Sequence, residues 1–197
     1  MKYSLTLPED YRLVADIDLQ KNKKLMLLVN GIALAIMLAM IIPVLFFVPF
    51  STVYGDGSLP GMDRILMLLI KLLATLAALA VYIVLHELVH GICMKAITKV
   101  KPRYGFTGIY AFAASDAYFG KGAYLLIALA PVVLWGIVLA VLLPFIPASW
   151  FWVVYFVQIQ NISGAAGDMY VTYRMLKMPK DILVFDSGTA MKVYSKA

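Results

Sequence analysis

From Leu25 to about Phe50 the chain is almost continuously apolar, broken only near the far end by Pro43 and Pro49. About 20 apolar residues in a helix cross the hydrocarbon core of a bilayer, so this run predicts a first membrane span. Further apolar runs extend from Ile65 to about Leu85, continuing as helix to Ile97, from Ala123 to Leu143 around Pro131, and from Trp150 to about Gly167. Gly55, Asp56, Gly57, Pro60 and Gly61 mark a turn-rich loop after the first run, and Asp63 is placed to cap the second helix. Lys101 to Lys121 departs from this pattern. There Tyr104, Phe106, Tyr110, Phe112 and Tyr118 stand among Pro102, Gly105, Gly108 and Gly120, a composition suited to extended chain or the membrane interface. The expected fold is an all-α polytopic membrane protein of about four transmembrane helices, with a short interfacial β-like segment between the second and third. Residues 1–24 and 169–197 read as polar tails, and 25–168 as a single membrane-embedded domain.

Composition sharpens this picture. The 197 residues are 63% hydrophobic and only 14% charged, where a soluble domain carries about a quarter charged. No stretch is left for a separate soluble module. The net charge of +6 comes from basic residues dispersed between the apolar runs, which suits lipid headgroups and orientation rather than nucleic acid. The N-terminal segment carries Lys2, Arg12, Lys21, Lys23 and Lys24, the first loop only Arg64, and the middle connection Lys95, Lys99, Lys101, Arg103 and Lys121. The connection after the third run has none, and the C-terminal segment has Arg174, Lys177, Lys180, Lys192 and Lys196. That alternation predicts four spans with both tails cytoplasmic, as in a bacterial or archaeal plasma membrane. The first 24 residues lack the short apolar core and small-residue cleavage site of a signal peptide. Cys93 is the only cysteine, so no internal disulfide is expected. Lys71, six residues into the second span, reads as a snorkelling side chain.

Candidate chemistry is concentrated in one place. The chain has two histidines, and both lie in His86-Glu87-Leu88-Val89-His90, a His-Glu-x-x-His pattern on the second helix. Histidines four apart share a helix face one turn apart, so both imidazoles can reach one ion, while Glu87 projects beside them where it can hold a water. The chemistry this pattern serves is zinc-dependent hydrolysis of a polarised carbonyl. A catalytic zinc usually takes three protein ligands, and no third histidine exists. Asp168, Asp116 and Cys93 are the candidates. His86 and Asp168 lie at comparable distances along the second and fourth helices, about 31 Å and 27 Å from their outer ends at 1.5 Å per residue. Asp168 also ends a stripe of Gln158, Asn161 and Ala165 at spacings of three and four. Asp116 reads as a solvated loop residue, and Cys93 as a small packing residue that nonetheless shares the histidine face.

With these residues in view, the chain resembles the zincin-type membrane peptidases and, more distantly, the site-2 intramembrane zinc metalloproteases. The resemblance rests on His-Glu-Leu-Val-His-Gly at 86–91, on Asn161 with Gly167-Asp168, and more loosely on Leu7-Pro8 and Ile17-Asp18. It implies Asp168 as the third zinc ligand and Asn161 as a substrate or transition-state contact. The site-2 pattern has a proline between these two residues and a glycine after the aspartate; here no proline intervenes and Met169 follows. The expected function is a zinc-dependent endopeptidase in the bilayer, hydrolysing a peptide bond of a membrane-protein or peptide substrate near the cytoplasmic face. The alternatives are a zinc hydrolase of a lipid or small amphipathic amide or ester, and a non-enzymatic metal-binding transport or sensing subunit.

Overall fold

Both ends of the chain are strands of one sheet, and this overturns the all-α expectation. The structure is a computed structural model that describes residues 2–18, 21–54, 60–108 and 110–196; Gly55, Asp56 and Gly57 of the expected loop lie outside the described residues. Twelve elements position the site: β1 (Tyr3–Ser4), β2 (Tyr11–Asp18), α1 (Lys23–Leu45), α2 (Gly61–Thr98), β3 (Arg103–Phe106), β4 (Ala111–Ala114), β5 (Tyr118–Gly120), α3 (Lys121–Leu142), α4 (Phe151–Gly164), α5 (Ala166–Leu176), β6 (Leu183–Asp186) and β7 (Ala190–Lys196). Short 3-10 turns join some of them. The fold is mixed α/β.

Two compact units divide the chain. The first comprises residues 1–30, 84–131 and 167–197. Its five-stranded antiparallel sheet has the order β1-β5-β6-β7-β2, while β3 and β4 form a separate two-stranded sheet. The long β2–β7 ladder runs from Tyr11 opposite Lys196 to Asp18 opposite Ala190, with a register shift between Leu13 and Ala15. Every second side chain of a strand faces the same side, so Val184 and Val193 are fully buried while Lys192 stays in solvent. That alternation lets segments rich in charge contribute to a core. Ile17, Phe119, Val184 and Val193 from the strands pack with Met94, Ile127, Val171 and Met175 from the helices. At the β6–β7 turn Gly188 takes φ +92°, its N–H donating to the Asp186 carboxylate at 2.8 Å and Ser187 N–H donating to Ala190 O at 3.0 Å.

The second unit comprises residues 31–83 and 132–166. It holds most of the apolar length of the helices. Among the described residues three helices are long and apolar enough to cross a membrane: 23–45, 61–98 and 121–145. Leu34, Leu66, Leu73, Val81, Ile137 and Val141 are exposed along them, as lipid-facing side chains would be. The expected fourth span is divided. α4 has 14 residues, about 21 Å of helix, and Ala165 (φ −79°, ψ 12°) ends it before α5 begins. Within this unit Trp152, Tyr155 and Ile159 of α4 form a cluster with Val53, and Tyr155 OH donates to Met40 O at 2.9 Å. Lys71 does not snorkel. It is buried, donates to Val53 O at 2.6 Å and lies 5.8 Å from the Trp150 ring centre.

Candidate metal centre

The motif lies in the last third of α2, all of it in the first unit. This helix continues well past the apolar run because nothing in Leu85–Thr98 breaks it, and it stops where Lys99 turns left-handed at φ +63°. Thr98 finishes the end by donating its hydroxyl to Met94 O at 2.8 Å and accepting Val100 N–H at 3.1 Å. His86 and His90 are therefore stacked one turn apart on a regular helix, with ring centres 4.8 Å apart and planes at 78°. Both are nearly fully buried.

Asp168 arrives in the first turn of α5, where unpaired helix N–H groups favour a carboxylate. The far end of α5 is held by Lys121 Nζ, which donates to Leu176 O at 3.1 Å and Met178 O at 2.6 Å. Asp168 Oδ2 lies 3.3 Å from His86 Nε2, and Oδ1 lies 3.7 Å from His90 Nε2. Burial works to raise the Asp168 carboxyl, but hydrogen bonds and charge from the two imidazoles outweigh it and hold the group down at about 2. One donor atom from each of His86, His90 and Asp168 lies within 4.8 Å of the others. Among the described residues this is the group of three potential metal ligands that the fold assembles.

The donor set fits zinc. Two imidazole nitrogens and a carboxylate oxygen are ordinary ligands of a catalytic zinc and leave a coordination position open. The surroundings fit as well: His90 Nδ1 donates to the backbone carbonyl of Ile127 at 2.9 Å, which fixes the ring and leaves Nε2 directed to Asp168. Glu87, half-buried and one residue round the helix, accepts a hydrogen bond from the backbone N–H of Ala113 in β4. A carboxylate so placed can take up and return a proton.

The other sequence candidates are engaged elsewhere. Asp116 is exposed and pairs with Arg103 at 2.8 Å. Cys93 packs half-buried against the core of the first unit. Asn161 belongs to the second unit and is fully buried; it accepts from Tyr82 OH at 2.8 Å and donates to Val132 O at 3.1 Å.

Three contributors escape a reading of the sequence. The Ile127 carbonyl is a backbone atom without a residue signature. Asp186, at the end of β6, accepts from Tyr124 OH at 2.7 Å, and its charge acts on both His90 and Asp168. Burial pushes the Asp186 carboxyl up, against the lowering effect of the Tyr124 and Gly188 hydrogen bonds. Tyr104 of β3 comes so close to α2 that a Cβ on Gly91 would overlap its hydroxyl. Burial raises this phenol, and the Glu87 charge raises it further. The glycine after the second histidine was the available signal for such an approach.

No curated protein and no solved structure matches the chain. A family model described as "Putative zincin peptidase" matches residues 79–183, which include all of the motif and Asp168. The chain belongs to that family.

Proposed function

From this membership and the site's geometry, we propose that the chain is a zinc-dependent endopeptidase embedded in the bilayer, cutting a peptide bond of a membrane-protein substrate near the cytoplasmic face. The observation that carries the reading is the convergence of His86, His90 and Asp168 within 4.8 Å, the two histidines standing on a helix long and apolar enough to cross a membrane. Ionisable groups gathered in the interior of a chain of this kind are costly to bury and mark functional sites. A bound zinc supplies Lewis-acid polarisation of a carbonyl and lowers the pKa of water to about 7.

The protein's own groups carry the rest. His86, His90 and Asp168 hold the ion, His90 with its ring fixed by Ile127. Glu87 accepts a proton from the attacking water on its carboxylate and returns it to the leaving amide nitrogen. The Ala113 N–H keeps that carboxylate in place. A peptide substrate, rather than a lipid, suits the β3–β4 hairpin. Neither outer edge of this hairpin pairs with another strand among the described residues, and β4 already touches Glu87. An unwound substrate segment can add to such an edge through backbone hydrogen bonds. Asn161 in this reading is a packing residue that ties α4 to Tyr82 and Val132.

The test uses the full chain in lipid nanodiscs, zinc-loaded, chelator-stripped and reloaded, offered transmembrane peptides and phospholipid esters in parallel. Zinc-dependent peptide cleavage that the chelator removes and zinc restores is expected. Zinc-dependent lipid hydrolysis without peptide cleavage would replace the peptidase reading with the lipid-hydrolase one.

A further inference from the structure

His90 is oriented by a backbone carbonyl in the interior of a helix, a group that ordinarily accepts an N–H of its own helix. In an α-helix the carbonyl of residue i accepts the N–H of residue i+4. For Ile127 that donor would be residue 131, and residue 131 is proline, inside α3. Proline has no N–H, and its ring crowds the carbonyl four residues before it. The Ile127 carbonyl is therefore released from the helix ladder at the very turn that faces His90, and it accepts His90 Nδ1 at 2.9 Å. Ile127 and Pro131 are both fully buried, so water is no ready substitute.

We propose that Pro131 is a positioning residue: by withholding a backbone N–H it frees the Ile127 carbonyl to fix the Nδ1–H tautomer of His90 and present Nε2 to the metal. A carbonyl only accepts, so the bonded Nδ1 carries the proton and the lone pair of the neutral ring is on Nε2. That atom is the one 3.7 Å from Asp168 Oδ1. The inference rests on the metal-site reading for its purpose, but the tautomer can be read without metal. A proline that merely bends α3 would act through helix shape and be indifferent to whether residue 131 carries an N–H.

The chain's two histidines give only two imidazoles to resolve by nitrogen NMR of the full-length, ¹⁵N-histidine-labelled protein in nanodiscs. Two variants separate hydrogen bonding from shape. Pro131→Ala restores the N–H, whereas α-hydroxypropionate at 131 gives the same side chain on a backbone ester without one. With metal removed and the rings neutral, the natural chain and the ester variant are expected to hold His90 as Nδ1–H. Pro131→Ala is expected to mix both tautomers and, when titrated with zinc, to bind it about tenfold more weakly, the scale of losing an outer-shell partner. If Pro131→Ala does not accumulate, the α-hydroxy analogue of Ala128 turns the Ile127 carbonyl into a weaker ester acceptor and should loosen the tautomer likewise. An unchanged tautomer in Pro131→Ala, or the same change in both position-131 variants, overturns the proposal. A natural chain that holds the tautomer but binds no zinc would instead defeat the metal-site reading and leave the tautomer device standing.

Discussion

At the scale of single residues, Gly91 shows how the motif's neighbourhood is built. Its missing side chain makes room for the Tyr104 hydroxyl beside α2. Alanine would gain up to about 1 kcal/mol of helix propensity, but it must push aside the far end of the ring of Tyr104, an exposed side chain. Gly91→Ala is therefore expected to fold with stability changed by no more than about 1–2 kcal/mol and to bind zinc normally, and a larger loss in a thermal melt would show that the Tyr104 ring cannot yield. Asp168 carries a second prediction. Asp168→Ala should weaken zinc binding at least about tenfold, while Asp116→Ala and Cys93→Ala, whose side chains serve Arg103 and the core, should keep the metal. Normal zinc affinity in Asp168→Ala would remove it as a ligand. Because each imidazole must be neutral and the carboxylate ionised to ligate, zinc affinity should fall as pH drops, with a slope of up to about two protons per ion in the acid range; isothermal titration across pH checks it, and a flat profile would contradict histidine ligation. The histidine pair was legible because i, i+4 geometry is local. The partners of that pair were not, since Ile127 contributes an atom every residue has and Asp186 resembles any other acid.

At the scale of elements, the helices and the strands differed in legibility for a physical reason. A membrane span announces itself through 20 apolar residues, whereas β1 has two residues and β5 three. Short strands with one face in water alternate polar with apolar and so resemble a solvated tail: Met191, Lys192, Val193 and Tyr194 read as polar when counted by charge, yet Val193 is in the core. The stripe from Gln158 to Asp168 likewise supposed one continuous helix. The break at Ala165 separates Gln158 and Asn161, packed in the second unit, from Asp168 in the first. Asp168 reaches the histidines from the start of a new helix, not from the same face. The turn between β6 and β7 offers a test of the sheet itself. At φ +92° with the Phe112 ring where a Cβ would go, Gly188→Ala should destabilise by about 1–3 kcal/mol, lowering the thermal midpoint by several degrees. An unchanged midpoint would mean that this turn does not have the described conformation.

At the scale of the whole molecule, a chain that is 63% hydrophobic has drawn its few charged segments into a sheet rather than leaving them as tails. The proposed orientation, which rests on the alternating distribution of lysine and arginine, puts both terminal segments, the middle connection and the motif on the cytoplasmic side. A single cysteine at Met62, on a Cys93→Ala background, should be labelled by impermeant reagents only from the outer side; labelling only from the cytoplasm would reverse the orientation. The central claim is that this assembly hydrolyses peptide bonds with zinc held by α2 and a proton carried by Glu87. Its most direct test measures metal content and cleavage of a transmembrane peptide on the same samples of natural chain and Glu87→Gln. One zinc per chain is expected in both, with cleavage in the variant reduced by about 100-fold or more. Undiminished cleavage by zinc-loaded Glu87→Gln would contradict the claim.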